Sequence, residues 1–132
     1  MEPRNTLKWA RGKFLSRAAQ IIKDPAKIMG LVQDVEGKIS ADYFKKQFKT
    51  FWSDLKLLLS LLKDAARGKY KAQSKKSLIL MVLGLLYFLS PLDLIPDLLV
   101  GGFIDDAALL AWIIAKVSEE LSHYKAWQAS QA

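Results

Sequence analysis

The residues best suited to chemistry are four carboxylates set into the most apolar part of the chain. Asp93 and Asp97 lie in Tyr87-Phe88-Leu89-Ser90-Pro91-Leu92-Asp93-Leu94-Ile95-Pro96-Asp97, and Asp105 and Asp106 follow Gly101-Gly102-Phe103-Ile104. A carboxylate bordered by apolar sequence is costly unless it has a cap, a partner, an ion or water. If they converge on one side of a turn, Asp93, Asp97, Asp105 and Asp106 form a candidate site for Mg²⁺, Ca²⁺ or Mn²⁺. In a membrane the same groups can carry protons or pair with a basic helix. The competing role is structural. Ser90 and Pro91 read as the N-cap and first residue of a helix, with Asp93 reaching back in a capping-box-like bond. Asp97 lies four residues beyond Asp93, Asp105 caps the last helix, and Asp106 sits beside its positive end. Capping accounts for each position without a ligand, and no metal-loop spacing is matched. Capping is therefore the preferred reading, and no cofactor is expected.

The elements around this turn read as helices. Leu7, Ala10, Phe14, Ala18 and Ile21 recur at helical spacing over residues 5–22, flanked by Arg4, Lys8, Arg11, Lys13 and Arg17. That pattern fits either a helix lying in a membrane interface or one packed on its own domain. Asp24-Pro25 starts a second helix, with Gly37 as its expected stop. A third is expected from Ser40 to Arg67, its aromatic and leucine stripe more often core than docking face. Gly68-Lys69-Tyr70-Lys71-Ala72-Gln73 breaks the pattern, and Ser74 or Ser77 caps the next helix. From Leu78 to Leu89 that helix is apolar at every position except the small Gly84, so it must be buried on all sides, in protein or in lipid. The expected fold is all-α: a bundle with an apolar helical hairpin, about 74–90 and 105–122, joined by the Pro/Gly/Asp turn. The 132 residues are expected to form a single domain, with amphipathic helices in 1–54, a core in 55–117 and a frayed tail at 126–132.

Composition narrows the classes. With no cysteine, disulfides and thiol catalysis are excluded, and the single histidine, His123, rules out a multi-histidine metal site within one chain. His123 itself reads as an incidental histidine near the tail. No Ser/His/Asp or glutamate–histidine catalytic arrangement is visible, so an enzyme is not expected. The net charge of +7 gathers in the N-terminal helix and again at Lys63, Arg67, Lys69, Lys71, Lys75 and Lys76, just before the apolar run. Basic blocks suit an anionic membrane surface or nucleic acid, and their place beside an apolar run favours the membrane. No recognised groove-binding motif is present, so nucleic acid is not favoured. The basic N-terminus is followed by no apolar signal core, since Ile21-Ile22 gives way at once to Lys23-Asp24; it is expected on the cytoplasmic side.

The string from Tyr87 to Asp97, with Gly102-Phe103-Ile104-Asp105-Asp106 behind it, resembles the signature of the YkvA-like family, a domain of unknown function. The upstream Leu61-Leu62-Lys63-Asp64 and Gly68-Lys69-Tyr70 resemble its lead-in, so the likeness covers roughly residues 55–117. The resemblance implies a small helical protein, often membrane-embedded, that also occurs as an appendage to other domains, including membrane-bound RING-type ubiquitin ligases. It implies no catalytic activity. Tyr87, Ser90, Pro91, Asp93, Pro96, Asp97, Gly102, Asp105 and Asp106 carry the motif.

Two readings of function follow. One is a membrane-associated structural or interaction module with a transmembrane or inserted hairpin, and with Arg4, Lys8, Arg11, Lys13, Arg17, Lys75 and Lys76 on the lipid surface. The other is a soluble or peripheral cytoplasmic bundle whose aspartates bind a divalent cation or carry protons. Two apolar runs side by side favour the first. Lipid is the expected partner, with a protein partner left open.

Overall fold

In the computed structural model, residues 15–40, 45–46, 49–89 and 106–131 are described. Among them the protein is an all-α helical bundle. Helix α1 (Pro25–Ile39) starts as its sequence requires: the Asp24 carboxylate accepts the Ala26 N–H at 3.0 Å, and Pro25 occupies the first turn. Gly37 does not stop it. The helix continues to Ile39 because that side chain is buried, extending the stripe of Ile28, Leu31, Val32 and Val35 by another turn.

The helix expected from Ser40 to Arg67 is interrupted by a 3-10 turn at Lys49–Phe51, after which α2 spans Trp52–Ala66. Successive residues of one helix point about 100° apart. The break, with Phe51 at φ −125° and ψ 22°, lets Phe51 and Trp52 both pack half-buried on the core. At the other end α2 closes in a Schellman motif. Gly68, at φ +73°, supplies the left-handed residue. Its N–H donates to the Ala65 carbonyl at 3.2 Å, and the Lys69 N–H donates to the Asp64 carbonyl at 2.9 Å.

Helix α3 (Lys75–Leu89) resolves the question posed by its uniform apolarity. Met81, Val82, Gly84, Leu85, Leu86, Tyr87 and Phe88 are buried among the other helices, so for these residues the surrounding medium is protein. Its 15 residues span about 22 Å, short of a hydrocarbon core of roughly 30 Å. Among the described residues no helix is long and apolar enough to cross a membrane.

Helix α4 (Asp106–Lys116) is followed by a turn at the buried Val117 and then by α5 (Ser118–Ser130). The expected second limb of the hairpin, 105–122, is therefore two helices. The tail expected to fray from 126 is helical through Ser130, because Leu121 and Tyr124 are buried and Trp127 packs against the core. Helix α1 packs on α2 and α3, α2 also on α4 and α5, and α3 on α4. Gly84 of α3 meets Ile113 of α4, while Ser74, just before α3, meets Glu120 beyond α4; the two limbs run antiparallel. Of the N-terminal amphipathic helix expected over 5–22, residues 15–22 are described as helical, with Ala18 buried and Ile21 and Ile22 packed on the core.

Candidate functional site

Asp93, Asp97 and Asp105 lie outside the described residues, as do Ser90, Pro91, Pro96 and Gly102 of the motif and Arg4, Lys8, Arg11 and Lys13 of the basic helix. Asp106 opens α4. Among the described residues no three His, Cys, Asp or Glu side chains are grouped to hold a metal ion. Tyr87 is buried in α3, while Lys75 and Lys76 are exposed at its start. Arg17, also exposed, lines a groove of about 630 Å³ with Lys27 of α1 and Leu86 and Leu89 of α3.

The structure instead brings together a polar cluster built on the connection between α2 and α3. At its centre is Glu120, a carboxylate 2% exposed in the first turn of α5. A buried charge must be hydrogen-bonded on each oxygen. Glu120 Oε2 accepts the Tyr70 hydroxyl at 2.5 Å and the Gln73 N–H at 3.1 Å, and Oε1 accepts the Ser74 N–H at 3.1 Å. Gln73 and Ser74 immediately precede α3, so Glu120 places a negative charge at the positive end of that helix. It does from another helix what an acidic first-turn residue would do locally, and α3 has none. The Ser74 hydroxyl adds its own cap by accepting the Ser77 N–H at 3.4 Å.

Tyr70 is the pivot. Its hydroxyl lies 2.7 Å from His123 Nδ1 as well as 2.5 Å from Glu120. The phenolic proton serves the carboxylate, so His123 Nδ1 carries a proton and donates to the Tyr70 oxygen. This arrangement turns Nε2 away from that bond. The His123 ring is only half shielded, and its Nδ1 stands 3.9 Å from the Glu120 carboxylate. Burial raises the Tyr70 pKa well above the ordinary 10.0, and the hydrogen bond to Glu120 and the negative charge of Glu120 push it further up.

A second bond runs parallel to the first. The Tyr124 hydroxyl donates to Asp64 Oδ2 at 2.5 Å and accepts from Gln128 Nε2 at 3.0 Å. Burial again leads in raising the Tyr124 pKa, with the bond to Asp64 next. The rings close the cluster: Tyr70 meets Tyr124 edge-on at 4.9 Å and Trp127 edge-on at 5.3 Å, and Trp127 stacks on Tyr124 at 5.7 Å. The result is a polar clamp with an aromatic lid that fastens Asp64 and residues 70–74 to α5.

Reading the sequence alone missed this clamp and set His123 aside as incidental. A signal was present: Glu120, Tyr124 and Trp127 repeat at four and three residues, which argues a buried helical face rather than a loose tail. The partner, Tyr70, lies fifty positions from Glu120, and no local pattern links them.

The family match falls within the hairpin, and the match to a relative extends beyond it. Residues 77–112 match the family described as a protein of unknown function (DUF1232). Over 85 residues the chain is 38% identical to the uncharacterized membrane protein YkvA of Bacillus subtilis (strain 168), covering 64% of this chain and 80% of that protein. No solved structure matches the chain.

Proposed function

Because this chain belongs to the YkvA-like family, to which no activity is assigned, we propose that it acts as a non-catalytic helical module at a membrane surface. The observation that carries the reading is Trp112. Among the described residues the exposed large hydrophobic side chains are Leu15 and Trp112, and this indole is 53% exposed on α4, with Lys116 Nζ 5.6 Å from the ring centre. An indole beside a lysine suits the lipid–water boundary, where the ring is apolar on its face and the N–H and ammonium stay wet. The name of the Bacillus subtilis relative, a membrane protein, supports the same direction. Since α3 spends its apolar side chains on the protein core, the association proposed is peripheral or partly inserted, with the N-terminus on the cytoplasmic side.

Fractionation of cells expressing the full chain, with salt and alkaline carbonate washes, tests the reading. The protein is expected in the membrane pellet, and vesicles are expected to shift Trp112 emission to shorter wavelength in a variant whose other tryptophans are phenylalanine. Complete recovery in the soluble fraction, with no spectral change on vesicles, would sink it.

A further inference from the structure

The connection between α2 and α3, held by the clamp, carries a row of exposed cations. Arg67, Lys69, Lys71, Lys75 and Lys76 are all exposed, and no acidic residue lies between Ala65 and Lys76. Through 69–73 exposure alternates: Lys69, Lys71 and Gln73 face out, while Tyr70 is buried and Ala72 half-buried. That alternation is the two-residue period of extended chain, which puts Lys69 and Lys71 on one outward side. Lys63, nearest this row on α2, is occupied by an ion pair to Glu36 at 2.7 Å. Among the described residues no ion pair involves the other five.

Helix electrostatics sharpen the point. Lys75 and Lys76 stand in the first turn of α3, where the positive end of the helix disfavours cations. The buried Glu120 answers the backbone N–H groups there, and among the described residues it makes no ion pair with a surface lysine. Lys75 and Lys76 are thus kept at a place where they weaken the helix, at the end of a connection locked by Tyr70, Glu120 and the Gly68 turn.

We propose that this rim, Arg67 to Lys76, docks on the anionic headgroups of a lipid surface. The proposal deepens the membrane reading above and rests on it. The rim offers charge without an exposed aromatic: Tyr70 faces inward, so nothing on it stacks on a nucleic-acid base, and headgroup phosphates are the better match. Near an anionic bilayer each lysine is worth roughly 5-fold in affinity, so removing two costs about 30-fold.

The test uses the full chain with vesicles of phosphatidylcholine alone and of equal parts phosphatidylcholine and phosphatidylglycerol. Binding is expected only to the anionic vesicles and is expected to weaken with salt. K69Q/K71Q should lose about 30-fold. K45Q/K46Q removes the same charge from two exposed lysines elsewhere and should stay within about 3-fold of the parent. Circular dichroism checks that both variants are folded. Equal losses in the two variants overturn the rim as the docking surface. Equal binding to both vesicles overturns it while leaving the membrane reading standing, and no binding to either overturns both. Tighter binding to duplex DNA than to anionic vesicles at the same salt overturns it in favour of nucleic acid.

Discussion

Tyr70 and Glu120, fifty positions apart, share a 2.5 Å hydrogen bond that joins the connection after α2 to the start of α5. Around it Glu120 completes its acceptors with two backbone N–H groups at the entrance to α3. One buried carboxylate thus joins α5 to the connection after α2 and to the start of α3.

Removing the Tyr70 hydroxyl should cost more than removing that of Tyr124. Tyr70→Phe strips a donor from a carboxylate that water barely reaches, whereas Asp64, half-exposed, can replace its lost donor with water. The expected losses are about 2 kcal/mol and about 1 kcal/mol, read from urea unfolding. Glu120→Gln should cost about 3 kcal/mol, since its amide nitrogen must face either the Ser74 N–H or the Gln73 N–H, donor against donor. A larger loss in Tyr124→Phe than in Tyr70→Phe would contradict the clamp's geometry.

His123 is expected in the Nδ1–H tautomer when neutral, the less common form for a free imidazole. The reason is the direction of the neighbouring bond: Tyr70 donates to Glu120 and can only accept from His123. Nitrogen-15 shifts of the ring distinguish the forms directly, and Tyr70→Phe should release the preference.

Stability should fall on the alkaline side. Burial, followed by the bonds to Glu120 and Asp64, raises the folded-state pKa values of Tyr70 and Tyr124 above the ordinary 10.0. The folded state therefore holds these protons more tightly than the unfolded chain does. The stabilisation is complete below about pH 10 and declines as pH rises beyond it. Absorbance at wavelengths specific to tyrosinate should show Tyr70 and Tyr124 ionising only as the protein unfolds.

Gly84 and Ile113 should be energetically coupled. A methyl group built on Gly84 would run into Cδ1 of Ile113, so G84A must displace that side chain within a packed core. Against a helix-propensity gain of roughly 1 kcal/mol, the clash should leave G84A destabilised by about 1 kcal/mol. In an I113V background, where Cδ1 is gone, the same change should be neutral or stabilising. Purely additive effects in this double-mutant cycle would show that α3 and α4 do not meet there.

The sequence by itself determined the helices wherever the cause is local. Asp24-Pro25 started α1, Gly68 ended α2 and Ser74 capped α3, because a cap, a fixed φ or a left-handed turn acts within a few residues. The motif from Tyr87 to Asp106 likewise marked the family, being a contiguous string. Only the tertiary structure decided what surrounds α3, since its apolar run is the same whether protein or lipid covers it. It also decided that the last turns of the chain form a helix and that Glu120 is buried. An isolated stretch of 13 residues such as α5 is marginal alone, and packing against Tyr70 and the core tips the balance. A carboxylate's worth depends on donors that folding brings from fifty residues away, and no reading along the chain contains that distance.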